Sequence, residues 1–192
     1  KCGFKSQGLF VMDGSARSAH GNAYFTGFGA RKRVVFFDTL LDRLNTIEIE
    51  AVLAHELGHF KHHHVLKRII SLFVISFLGL AVLGWLKQQA WFYTGLGVSM
   101  SSDYMALLLF MLVSPSFLFV LRPLMAWYAR KNEFEADDYA VKHAKAKDLI
   151  DALVKLYRDN ASTLTPDPWH SAFYDSHPPA SIRIAKINEK ML

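Results

Sequence analysis

Two runs of eighteen residues, Ile69 to Leu86 and Tyr104 to Leu121, contain no charged side chain. Eighteen helical residues rise about 27 Å, close to the roughly 30 Å of bilayer hydrocarbon. Both faces of each run are apolar, whereas a surface helix of a soluble protein keeps one polar face. The connection from Lys87 to Asp103 holds Gly95, Gly97 and several serines, enough for a turn. Trp85, Trp91, Tyr93 and Tyr104 flank it, as an interfacial aromatic belt would. The expectation is a two-helix transmembrane hairpin with helices at 69–86 and 104–121 and a kink at Pro115. The competing reading is a soluble hairpin with both helices buried.

Charge sharpens this. Lys61, Lys67 and Arg68 precede the first run, and Arg122, Arg130 and Lys131 follow the second. The connection has little beyond Lys87, so the positive-inside rule places both outer ends on the cytoplasmic side. The compartment is then a bacterial inner membrane, or the endoplasmic reticulum if the chain is eukaryotic. The hydrophobic share of 52% is concentrated in the two runs, and the net charge of +5 is scattered around them. No basic stripe forms, which disfavours nucleic acid as a partner. A single cysteine, Cys2, rules out an internal disulfide. The chain starts at Lys1 with no signal-peptide pattern and is expected to be the C-terminal part of something longer.

Ahead of the first run lies His55-Glu56-Leu57-Gly58-His59. Histidines at i and i+4 share a helix face and can point at one metal ion. Neutral imidazole is a natural zinc ligand, and Glu56 is placed to take a proton from an activated water. Asn45 with Glu48 three residues on is a capping-box pattern, with Thr46 as the alternative cap. Ile47, Ala51, Ala54 and Gly58 recur at helical spacing, so the motif sits on a helix that is expected to continue past His59 towards the membrane. His62, His63 and His64 read as solvated residues at the membrane surface. His20, His143 and His170 read as surface residues.

A catalytic zinc needs a third protein ligand. Glu133 is the best candidate, with Asp137 one turn later able to accept a hydrogen bond from a ligating histidine. Glu135 and Asp138 lie on other faces and read as solvated or paired with lysine. Elsewhere, Asn22 to Gly27 and Val34 to Phe37 flank a Gly-rich basic connection and predict a β-hairpin. Asp38-Thr39 could cap a short helix over 40–44. Helices are expected over 125–145 and 147–158 and near 182–191, with breaks at Thr165-Pro166-Asp167-Pro168 and Ser176-His177-Pro178-Pro179.

Taken together, HELGH, the hairpin, E-F-E-A-D and S-H-P-P resemble the type-1 CAAX prenyl protease family of integral-membrane zinc metallopeptidases. The likeness extends from Asn22-Ala23-Tyr24 and Phe37-Asp38-Thr39-Leu40-Leu41 through Ala146-Lys147-Asp148-Leu149 to the Arg183 region. It implies one Zn2+ on His55, His59 and Glu133, with Glu56 as general base. It implies substrate binding along an edge strand at Asn22, Ala23 and Tyr24 by backbone pairing. His177 and Arg183 match residues that assist the reacting carbonyl or order the site. The implied fold is mainly α and membrane-associated: a zincin-type core over residues 1–192 with a small sheet and the transmembrane hairpin. The family has seven membrane helices, so further N-terminal spans are expected outside this chain. The substrate would be a peptide or protein, prenylated or otherwise membrane-associated. The alternatives are an HtpX-type quality-control protease and a non-catalytic zinc-binding assembly module.

Overall fold

The computed structural model describes residues 8–26, 33–159 and 166–190. The chain divides into two units, Lys1–His64 with Ala126–Leu192, and Val65–Met125.

The first unit is built on a three-stranded sheet of order β1-β3-β2, comprising β1 (Leu9–Met12), β2 (Ala23–Thr26) and β3 (Arg33–Phe37). The predicted hairpin is β2 antiparallel to β3, with Ala23 opposite Phe36 and Tyr24 opposite Val35. Its connection, 27–32, lies outside the described residues. β1 adds a parallel neighbour on the far side of β3, which sequence pattern did not suggest. The central position of β3 fits its run of buried Val34, Val35 and Phe36, since a strand covered on both faces need not alternate.

The short helix α1 spans Asp38–Leu41, not the expected 40–44, and Phe37 occupies its N-cap position without a side-chain bond. Asp38 is used differently. Its Oδ1 accepts backbone N–H bonds from Gly14, Ser15 and Thr39 at 2.8–3.0 Å, tying the turn after β1 to the end of β3.

Helix α2 (Thr46–Lys61) carries the capping box that its sequence predicts. Asn45 Oδ1 accepts from the amides of Ile47 and Glu48, and Glu48 Oε2 accepts from the Asn45 amide. Glu48 also pairs with Lys155 at 2.7 Å, so the first turn of α2 is fastened to α6 (Ala146–Asp159). One side of α2 joins the core of Val34, Phe36, Leu40 and Ala152 through Val52. Ala51 and Ala54 pack in a second core with Ala140, Leu149, Leu153 and Ile187. A helix buried on two sides is held well enough to orient ligands.

The expected continuous run into the membrane is interrupted. α2 stops at Lys61, His63 adopts φ 57°, and helix resumes as α3 (His64–Leu86). A left-handed residue cannot propagate an α-helix, so the helix ends there.

The second unit holds α3 beyond His64, α4 (Ala90–Thr94) and the start of α5 (Asp103–His143). α4 replaces the simple turn expected between the runs. Phe92 and Tyr93 bury themselves with Ala106, Leu109, Leu83 and Leu86, and Tyr93 Oη donates to the Lys87 carbonyl at 2.9 Å. The rest is bare. Phe73, Phe77 and Leu80 are 66–72% exposed, and none of the most apolar window of α3 is buried. A soluble buried hairpin would hide these side chains, each worth about 1.5–3 kcal/mol on burial. Both helices are long and apolar enough to cross a membrane. α5 runs unbroken through Pro115 and Pro123, merging the second apolar run with the helix expected over 125–145.

Two helices complete the first unit, α7 (Pro168–Tyr174) and α8 (Ala180–Glu189). α7 starts where the sequence suggested only a break: Asp167 caps the amides of Trp169 and His170, with Pro168 in the first turn.

Candidate metal centre

The site is made where α2 meets the part of α5 beyond its apolar run. Gly58 makes the meeting possible. A Cβ there would lie 2.8 Å from Ala136 Cα and 2.9 Å from its carbonyl oxygen, so only glycine lets the two backbones touch. His55 and His59 flank Gly58 on one helix, and Glu133 and Asp137 flank Ala136 on the other. The contact therefore sets the two pairs of side chains face to face.

His55 Nε2 lies 3.2 Å from His59 Nε2 and 3.6 Å from Glu133 Oε2, while His59 Nε2 is 3.3 Å from Glu133 Oε1. Tetrahedral zinc with bonds of about 2.0–2.1 Å separates its ligand atoms by about 3.4 Å. The two imidazole nitrogens stand near that spacing, each faces a different oxygen of Glu133, and with one ligand atom from each residue the three lie within 4.8 Å of one another. Glu133 Oε2 is buried and has no hydrogen-bond partner, an expensive arrangement for a carboxylate unless a cation completes it. Two imidazoles and a carboxylate are a known catalytic zinc set. These residues can hold one Zn2+.

Around them the charges are ordered. Burial pushes Glu133 up, but the His59 hydrogen bond and the charges of His177, His55 and Arg183 outweigh it and hold the carboxyl at about 2. His55 Nδ1 lies 2.9 Å from Asp137 Oδ1, which orients the ring and leaves Nε2 free for a metal. Asp137 is gripped in turn by Arg183 of α8, whose Nε donates to Oδ2 at 2.8 Å and Nη2 to Oδ1 at 2.6 Å. Arg183 Nη1 also stands 3.6 Å from Glu133 Oε2. Both members of the Arg183–Asp137 pair are buried, so the guanidinium orders the centre from within.

Glu56 is half-buried beside the cluster. Burial raises its carboxyl above the usual range, the charges of His55 and His59 pull it down, and Glu133 adds to the rise. His177 comes from the α7–α8 connection and remains exposed, with Nε2 3.4 Å from Glu133 Oε1 and Nδ1 3.0 Å from Ser176 Oγ. Two anchors that sequence reasoning missed hold this connection. Arg130 Nη1 donates to the carbonyls of Ser171 and Asp175, each at 3.0 Å, and Tyr157 Oη donates to the Pro178 carbonyl at 2.9 Å. Arg130 reads in sequence only as a membrane-flanking charge, and Tyr157 carries no signal.

Asn22, Ala23 and Tyr24 lie at and in β2, an outer strand of the sheet that packs on α2. Ala23 is buried, Asn22 is exposed, and the Asn22 carbonyl accepts the Phe37 amide at 2.9 Å. Asp138 pairs with Lys190, and Glu135 reaches Lys131 at 4.0 Å, as expected of acids off the metal face. One expectation fails. His64 is not a solvated surface residue; it is 5% exposed and bonded to both His59 and Glu135.

A sequence profile of peptidase family M48 matches residues 1–191. A CAAX prenyl protease 1 homolog of Arabidopsis thaliana is 38% identical over 190 residues, covering 96% of this chain and 44% of the relative. CAAX prenyl protease 1 of Saccharomyces cerevisiae is 34% identical over 208 residues, covering 98% and 45%. The crystal structure of S. mikatae Ste24p superposes with a TM-score of 0.86 at 33% identity, over 97% of this chain and 47% of that one. The chain therefore spans about half the length of these relatives. The profile settles the family, and the relatives and the superposition agree with it: this chain belongs to peptidase family M48 and is similar to CAAX prenyl protease 1 and its homologues.

Proposed function

We propose that the protein is a zinc-dependent membrane endopeptidase that cleaves peptide bonds in prenylated, membrane-associated substrates. One observation carries this reading: His55, His59 and Glu133 bring three donors close enough to share one metal ion, and the Glu56 carboxyl feels the charges of all three. Zinc bound there supplies Lewis acidity towards a water and a peptide carbonyl. Glu56 takes the water's proton on its carboxylate and later delivers it to the leaving amine. Its burial-raised pKa suits a group that must both accept and release a proton. His177, exposed at the rim, is free to donate to the carbonyl oxygen as charge develops. Arg183, enclosed and committed to Asp137, orders the ligands.

The outer edge of β2, which pairs with no further strand among the described residues, supports a substrate laid in extended form along Asn22, Ala23 and Tyr24, held by main-chain hydrogen bonds. The names of the relatives support a prenylated peptide over the quality-control alternative. Basic residues at the start of α3 and within α5 support a centre on the cytoplasmic side of the membrane. The greater length of the relatives supports additional membrane helices as partners of the two spans.

The test uses the purified protein in detergent with a farnesylated and an unlipidated version of one peptide. The farnesylated peptide is expected to be cleaved faster, and Glu56→Gln to lose about 10²–10⁴-fold in rate while keeping about one zinc per chain. Undiminished cleavage by Glu56→Gln would remove the base assignment. Equal rates on the two peptides would remove the prenyl preference.

A further inference from the structure

His64 is buried and bonded at both ring nitrogens, with Nδ1 2.9 Å from His59 Nδ1 and Nε2 3.1 Å from Glu135 Oε2. His64 follows His59 by five positions, a spacing that an unbroken helix puts on different sides. The left-handed His63 makes the contact possible by ending α2 and turning the next residue back over its last turn. The direction of the chain of bonds then follows. Nε2 of His59 faces His55 and Glu133, so as a metal ligand it must carry a lone pair and the ring proton sits on Nδ1. That proton can go only to the lone pair on His64 Nδ1, which puts the His64 proton on Nε2, facing the Glu135 carboxylate.

We propose that His64, held by Glu135, is a positioning residue that fixes the tautomer and ring orientation of His59 for zinc. This deepens the metal-centre reading and rests on it. The two histidine ligands are supported in different ways: Asp137 backs His55 directly, and Glu135 backs His59 through an interposed imidazole. Outer partners of this kind are worth about 10–100-fold in metal affinity.

The experiment measures zinc affinity by chelator competition, the visible spectrum of the Co2+-loaded protein, and melting of the metal-free protein, all in detergent. His64→Leu is expected to weaken zinc binding by about 10–100-fold and shift the Co2+ bands, with metal-free melting unchanged. His64→Gln can accept through its amide oxygen and donate through its amide nitrogen, and is expected to recover most of the affinity. Glu135→Ala, at a partly exposed position, is expected to lose about tenfold and serves if His64→Leu does not fold. Zinc binding by His64→Leu within twofold of wild type, with an unshifted Co2+ spectrum, overturns the proposal. Equal losses in His64→Leu and His64→Gln, with lowered metal-free melting in both, overturn it in favour of simple packing. Failure of the wild-type protein to take up zinc would instead sink the metal-centre reading on which the proposal stands.

Discussion

Arg183 is enclosed beside the metal-ligating cluster and bonded to Asp137. Its guanidinium and the Asp137 carboxylate are both buried, and each neutralises the other at 2.6–2.8 Å. Removing one partner leaves the other charged and dry. Arg183→Ala is therefore expected to cost about 3–5 kcal/mol, read as a lowered melting temperature in detergent. Arg183→Lys keeps the charge but loses the two-pronged grip, so it should melt closer to wild type while binding zinc more weakly. An unchanged melting temperature for Arg183→Ala would mean that the pair carries no net load. This role was half legible. The sequence resemblance implied Arg183 near the zinc, but only the fold shows that it grips Asp137, which in turn holds His55.

At the scale of elements, the α2–α5 contact has least tolerance at Gly58. Its added Cβ would meet Ala136 Cα at 2.8 Å and Tyr139 Cβ at 3.0 Å, and the first of these is backbone that cannot rotate aside. Gly58→Ala is expected to destabilise by about 1–3 kcal/mol despite alanine's better helix propensity, and to weaken zinc by moving Glu133 away. A stabilised protein with normal zinc affinity would show that the helices part without penalty. α2 was readable because its signals are local: the Asn45–Glu48 box and the spacing of Ala51, Ala54 and Gly58 all lie within one helix. The elements that were missed depend on other things. β1 shows no alternation, since all four of its residues are exposed, and only its pairing with β3 makes it a strand. α7 did carry a local signal, Asp167 before Pro168, which is a cap followed by a favoured first residue and not merely a break. His64 was misjudged because a five-residue spacing means nothing on a helix, and nothing in the residues announces that His63 is left-handed.

For the molecule as a whole, the two apolar runs pointed to a membrane before any fold was known, because both faces of each are apolar. The exposed flanks of α3 and α5 bear this out. Orientation can be tested directly. In a Cys2→Ser background, Ser101→Cys in the connection between the spans is expected to react with a membrane-impermeant maleimide from the side opposite the zinc centre. Labelling from the same side as a cysteine placed at Lys145 would reverse the assigned topology. The third ligand was the part of the centre that needed most inference, since residues 59 and 133 are joined only through the stretch that enters the membrane.

That separation gives the Gly58–Ala136 contact a wider meaning. His59 lies before the membrane stretch and Glu133 after it, so an ion shared between them acts as a cross-link closing a long loop. Closing such a loop costs chain entropy that grows only slowly with its length, whereas several coordination bonds reward it at once. Occupancy of the centre and attachment of both ends of the membrane stretch to one core are then coupled, each favouring the other. Withdrawal of the metal would loosen the seam where the chain leaves and re-enters its folded body.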